Sequence, residues 1–245
     1  MISLDSDQVH LFYVKADKIN DTALLKEYES VLSREEREKV GRYRFEKDRH
    51  LSLVSRALVR YLLSAYTGRA PEYFSFFCNS FGKPAILKEQ ADRLGLDIKF
   101  NLSHTPGAVV LGLGITHEIG VDVEQVDRSI SLGVADRFFS KKEAEMVRQY
   151  SGSRRHQILF DIWTLKEAYI KARAKGLSIP LDSFSFDLGP QDRIKFTDPA
   201  GTGEGWQFFR WRPGQNLTIA AAVESRFPIN FSHYHCVPFD RIQPV

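Results

Sequence analysis

The stretch IGVDVEQV (119–126) alternates apolar and acidic residues. In an extended strand successive side chains point to opposite faces, so Asp122 and Glu124 share one face while Val121 and Val123 point into the core. Taken alone, such a pair reads as a solvated polar face. A second stretch, WTLKEAYIK (163–171), changes that reading. On a helix, Trp163, Glu167 and Lys171 recur every four residues along one face, flanked by Lys166, while Ile158, Ile162, Leu165, Tyr169 and Ala172 form an apolar stripe. A Glu-to-Lys pair at this spacing is ordinary surface decoration, but that explanation supplies no reason for a Trp in the same row. If the helix faces the strand edge, Asp122, Glu124 and Glu167 converge, and like charges so placed either raise a pKa or recruit a hard cation. Three oxygen donors plus waters suit Mg²⁺, with Mn²⁺ as its substitute. Because such a cation usually shares its shell with substrate phosphates, the site points to phosphoryl chemistry on a diphosphate.

The phosphate side of such a site should be basic. Neither G-x-x-x-x-G-K-[ST] nor G-x-G-x-x-G occurs, which disfavours an ordinary NTPase or dehydrogenase. Cations cluster instead in REKVGRYRFEKDRHLSLVSRALVR, as Arg37, Lys39, Arg42, Arg44, Lys47, Arg49, Arg56 and Arg60. Most charge runs are solvated helix faces. Arg56 differs, because it interrupts the apolar LSLVSRALV and needs a carboxylate or a phosphate as partner. Lys83 sits in FGKP, a loop stiffened by Pro84, and His104 ends the strand-like FNLSH.

The elements that must position these residues follow from periodicity. Strands are expected at 8–14, 72–77, 96–103, 108–114, 119–126, 183–188, 193–197, 206–211 and 217–224, and helices at 34–43, 48–68, 132–139, 141–150 and 156–176, with Gly68 and Gly176 as stops. Mixed helices and strands without regular βαβ alternation indicate an α+β class. Two S-x-x-E capping boxes, Ser33 with Glu36 and Ser140 with Glu143, each open a short helix that precedes a long one and then a group of strands. The repeated order implies two similar halves, 1–118 and 119–245, related by a pseudo-two-fold axis. Each is a small, mostly antiparallel sheet packed on a long helix, with a ligand cleft expected between the halves.

Composition sets the outer limits. The chain has 245 residues and a formal net charge of +3, enough for a sizeable core and a mild preference for anionic partners without demanding nucleic acid. Its two cysteines, Cys78 and Cys236, are too few and too far apart for a disulfide framework or a thiolate zinc site. The start lacks the pattern of a signal peptide, and no apolar run reaches the roughly 18 residues of a membrane span. A cytoplasmic protein without membrane attachment is expected.

Taken in order, SRALVR (55–60), FGKP (81–84), FNLSH (100–104), GVDVE (120–124), RFFSKKE (137–143), WTLKEAYIK (163–171) and GLSIPLDSFSF (176–186) resemble the Sfp-type 4'-phosphopantetheinyl transferases. That resemblance implies two α+β halves with coenzyme A between them, and transfer of its 4'-phosphopantetheine group to a serine of an acyl or peptidyl carrier protein, releasing 3',5'-adenosine bisphosphate. By the same match Asp122, Glu124 and Glu167 would hold Mg²⁺, and Lys171 and Lys166 would contact phosphate oxygens. Arg56, Lys47, Lys39, Gly82, Lys83, Pro84, Ser103 and His104 would bind coenzyme A. Glu167 is the expected base for the serine proton and Glu143 the runner-up. An acidic carrier would suit a basic enzyme, and a chain carrying both halves is expected to be a monomer.

Two positions depart from the family pattern: Thr105 stands where Ser is usual, and Ala174 where Gly is frequent. The tail HYHCVPFDRIQPV matches least, and its His233, His235 and Cys236 lack a fourth ligand for a metal. Two other readings remain at this level. A catalytically silent coenzyme A or carrier-protein binding module would transfer nothing. A Mg²⁺-dependent nuclease would cleave phosphodiesters without coenzyme A.

Overall fold

Aromatic and β-branched runs become strands here, and the three-and-four-spaced apolar stretches become helices. The structure, a computed structural model, describes residues 2–127, 133–190, 193–199, 201 and 204–245. Leu132 of the expected 132–139 helix lies outside the described residues. The chain divides into two units, Met1–Thr116 with Asn230–Val245, and His117–Ile229.

The first unit runs β1 (Gln8–Lys15), α1 (Thr22–Val31), α2 (Arg34–Gly41), α3 (Glu46–Thr67), β2 (Phe76–Cys78), β3 (Pro84–Ile86), α4 (Lys88–Leu94), β4 (Ile98–Thr105) and β5 (Ala108–Ile115). The second runs β6 (Ile119–Gln125), α5 (Gly133–Phe138), α6 (Lys141–Arg148), α7 (Gly152–Ala172), β7 (Ser185–Leu188), β8 (Ile194–Thr197), β9 (Trp206–Trp211) and β10 (Leu217–Glu224). β11 (Asn230–Val237) and β12 (Arg241–Pro244) then return to the first unit. The fold is mixed α+β, with several small sheets and helices.

In the first unit the sheet order is β12-β11-β1-β5-β4, antiparallel throughout except for the parallel pair β1 and β11. The long helix α3 buries Val54, Leu58 and Leu62 with Phe12, Val14 and Leu111 of the sheet. It stops at Gly68, whose φ of 68° is costly for any residue with a Cβ. In the second unit β6-β10-β9 is antiparallel. There α7 packs Leu165, Tyr169 and Ala172 in one cluster with Ala220 and Ala222 of β10.

Several expectations are corrected. The boundary 119–245 is wrong at its far end, because residues 230–245 build the first unit's sheet. A parallel partner for β1 requires a long connection, and residues 16–229 supply it. Strand alternation in β11 puts Cys236 in the first unit's core, while His233 and His235 sit opposite Leu11 and Tyr13 on the other face. The expected strand at 72–77 begins as a short 3₁₀ turn, Pro71–Tyr73. α7 ends before Gly176, and Ala174 takes the positive φ of 51° at its exit. Among the described residues no helix is long and apolar enough to cross a membrane.

Candidate active site

The site begins with a missing side chain. A Cβ on Gly120 would lie 2.0 Å from the Ala168 carbonyl oxygen and 2.3 Å from the Ala172 amide nitrogen. Only glycine lets α7 lie this close on β6. Alternation then places Asp122 and Glu124 on the same face as Gly120, the face that meets the helix.

Lys171, one residue before Ala172, donates from Nζ to Asp122 Oδ1 at 2.6 Å. Asp122 is buried and Lys171 keeps 30% of its side chain in water, so the pair lies at the edge of the packed face. Glu167, one turn earlier, is half-buried. Burial, and then the negative charge of Asp122, pushes its carboxyl up to about 7; Glu124 adds to the rise and Lys171 opposes it. Three carboxylates and one ammonium thus act on one another with a surplus of negative charge. A hard divalent cation takes such a donor set and offsets such a surplus. As the side chains stand, no three His, Cys, Asp or Glu among the described residues are drawn together closely enough to hold a metal ion. Asp122 Oδ1 is bonded to Lys171 instead.

Trp163, in the same helical row, lies edge-on to Phe138 with ring centroids 5.9 Å apart. It joins the clusters on both sides of α7, so its place in the row is explained by packing.

Lys166 and Glu143 are elsewhere. Both side chains are 0% exposed and pair at 2.8 Å. Lys166 Nζ also donates to the Leu181 and Phe184 carbonyls, at 2.6 and 2.7 Å, which uses its three donors. Glu143 also accepts from the backbone amides of Ser140 and Phe186, at 2.9 and 2.8 Å. The expectations that Lys166 touches phosphate and that Glu143 is the runner-up base are therefore corrected. A side chain with no exposed surface and saturated hydrogen bonds reaches neither a phosphate nor a serine.

In the first unit, Arg56 Nη1 is 3.7 Å from Glu36, whose closer partner is the buried Arg60, with Nη2 at 2.6 Å. Arg56 Nε is buried and has no hydrogen-bond partner among the described residues. The FGKP loop is built by Asn79. Its Oδ1 accepts from the Phe81 and Lys83 amides, both at 2.9 Å, and its carbonyl accepts from Gly82, whose φ is 83°. Pro84 opens β3 opposite Cys78. On β4, Ser103 is buried and His104 exposed. Lys39 and Lys47 are exposed, in the last turn of α2 and the first turn of α3.

The sequence reading thus brings Asp122, Glu124, Glu167 and Lys171 into one neighbourhood and misplaces Lys166 and Glu143. It missed Gly120 and Asn79. An Asn followed by S-F-G-K was a readable turn signal for the second; nothing local marks the first.

Comparison with known proteins bears on the same residues. The family described as "4'-phosphopantetheinyl transferase superfamily" matches residues 118–222, and "4'-phosphopantetheinyl transferase, N-terminal" matches residues 22–114. The 4'-phosphopantetheinyl transferase HetI of Nostoc sp. is 31% identical over 91% of the chain and 90% of its own length. Two such transferases of Bacillus subtilis, ffp and Sfp, are 35% and 31% identical, each over 79% of the chain and 83% of their own length.

Proposed function

Because the chain belongs to the 4'-phosphopantetheinyl transferase superfamily, we infer that it transfers the 4'-phosphopantetheine group of coenzyme A to a serine of an apo acyl or peptidyl carrier protein. The serine oxygen attacks the phosphorus esterified to pantetheine, and 3',5'-adenosine bisphosphate leaves.

The residue roles rest on one observation: the bare Gly120 lets α7 bring Glu167 and Lys171 against the Asp122 and Glu124 face of β6. Asp122, Glu124 and Glu167 would hold Mg²⁺ or Mn²⁺, which when bound offsets charge on the pyrophosphate. Lys171 holds a phosphate oxygen, exchanging its bond to Asp122 for one to the substrate. Glu167 accepts the serine proton, directly or through a water, from its place beside Asp122 and Lys171. In the first unit Arg56, with a spare buried donor, and His104 take the adenosine phosphate. Gly82, Lys83 and Pro84 line the nucleotide pocket, with Ser103, Lys39 and Lys47 as further contacts. The repeated capping boxes support two halves that are copies of one pattern. The protein acts as a cytoplasmic monomer on an acidic carrier.

The test is intact mass of apo carrier proteins incubated with the enzyme, coenzyme A and Mg²⁺. One phosphopantetheine per carrier, lost with Glu167→Ala, is expected. No gain on acyl or peptidyl carriers would favour the silent binding module instead, and a trimer mass by light scattering would overturn the monomer.

A further inference from the structure

Asp161 interrupts the apolar run ILFDIW of α7 and is 0% exposed. A carboxylate held out of water must have its lone pairs filled, and here four side chains fill them. Thr218 Oγ1 donates to Oδ1 at 2.9 Å and Gln157 Nε2 at 3.1 Å. Arg210 Nη1 donates to Oδ2 at 2.9 Å, and Arg212 donates to both oxygens. Gln157 lies on α7 itself. The other three come from β10, from β9 and from the residue just past β9, so Asp161 fastens the helix to the two strands that follow β6 in the sheet.

The register makes that fastening specific. Thr218 lies directly opposite Glu124. Arg210 lies opposite Ala220, which in turn lies opposite Asp122. The two rows of the sheet that carry the strand acids are therefore the two rows that Asp161 grips, while the helix it belongs to carries Glu167 and Lys171 further on. A simple tie between helix and sheet could bind at any row; this one binds at the two rows that carry Asp122 and Glu124.

We propose that Asp161 and Thr218 are positioning residues of the active site, holding the Asp122 and Glu124 rows against α7 so that the strand acids and Glu167 present one divalent-cation site. The proposal rests on the metal-site reading of those three acids. Side chains that support metal ligands without touching the metal typically contribute about 10–100-fold to its affinity, which sets the size of effect to look for.

The experiment is binding of Mn²⁺ alone to the full-length protein, followed by electron paramagnetic resonance, for wild type, Thr218→Val, Thr218→Ser and Asp161→Asn. The valine keeps the shape of Thr218 and removes its donor. It should bind Mn²⁺ about tenfold more weakly while the protein stays folded, its melting temperature lower by a few degrees, with KM for coenzyme A at saturating metal unaltered. Thr218→Ser, which keeps the hydroxyl, should restore wild-type binding, and Asp161→Asn should weaken it further. A Thr218→Val protein with wild-type Mn²⁺ affinity would overturn the positioning role while leaving the metal site intact. Wild-type protein that binds no Mn²⁺ would overturn the metal-site reading, and the proposal with it.

Discussion

The two units contain the same electrostatic staple, built with different residues. In the first, Glu36 closes a capping box on Ser33 and pairs with Arg60 of α3, and Arg60 donates to the Pro71 and Phe74 carbonyls around a short 3₁₀ turn. In the second, Glu143 closes a capping box on Ser140 and pairs with Lys166 of α7, and Lys166 donates to the Leu181 and Phe184 carbonyls around another. Each staple ties a short helix, a long helix and the approach to a hairpin. The difference lies in the seal. Glu36 keeps 12% of its side chain exposed and is also near Arg56, whereas Glu143 and Lys166 are both 0% exposed. Burial pulls the Lys166 ammonium below its ordinary value despite Glu143. One residue after the cation, the first unit has Tyr61, packed on Phe239 with centroids 5.0 Å apart, where the second has Glu167. Five residues after it stand Ala65 and Lys171. The staple is common to both units; Asp122, Glu124, Glu167 and Lys171 belong to the second.

The largest expected effect tests that last contrast. Glu167→Gln should lower phosphopantetheine transfer by about 10³-fold with the fold intact, as removal of a positioned proton acceptor does. Tyr61→Phe should leave the rate within about twofold, since the ring and its packing remain. Turnover rates of purified variants on one carrier protein decide this, and comparable losses at the two positions would break the comparison.

The seals come next. Glu143→Gln leaves a buried ammonium without its counter-charge and should cost about 3–5 kcal/mol in urea unfolding. Glu36→Gln should cost less, about 1–3 kcal/mol, because Glu36 is partly solvated. Equal losses would mean that the second staple is no tighter than the first.

A pH series gives a smaller effect with a definite sign. The Glu167 carboxyl is raised from 4.5 to about 7, so the folded state binds the extra proton between those values. Its contribution to stability is therefore neutral below pH 4.5, grows unfavourable as pH rises from there to about 7, and stays constant above. Glu167→Gln should melt above wild type at pH 8 and level with it at pH 4.5, and Mg²⁺ should raise the wild-type melting temperature more at pH 8 than at pH 5.

The smallest effect concerns how the long helices stop. α3 exits through Gly68 at φ 68°, but α7 exits past Ala174 at φ 51°, a conformation in which a Cβ is strained. Ala174→Gly should stabilise by up to about 1 kcal/mol and Gly68→Ala destabilise by a similar amount, both read by urea unfolding.

Much of this was legible locally. Both capping boxes form with reciprocal bonds at Ser33 and Glu36 and at Ser140 and Glu143, since the motif spans a single turn. The apolar stripe Ile158, Ile162, Leu165, Tyr169 and Ala172 is buried throughout, and Asp122 and Glu124 share a face. Several elements were missed: α1, although Leu24, Leu25, Tyr28 and Val31 stand at helical spacing; α4, seven residues long; β3, three residues long; and β11, which mixes His, Ser and Tyr with its apolar positions.

By itself, the sequence determined the element types, the caps, the face on which the strand acids stand and the row that joins Glu167 to Lys171, because helical and strand periods are properties of a few neighbouring residues. Only the tertiary structure decided between the two lysines of one helix. Lys171 meets Asp122 at an open edge, and Lys166 disappears against Glu143, residues 49 and 23 positions away in the chain. It also revealed why Gly120 has no side chain and where the tail goes, since a close approach of backbones and a parallel pairing of distant strands have no period to read. Such contacts are set by packing between segments far apart in sequence, and no local pattern carries them.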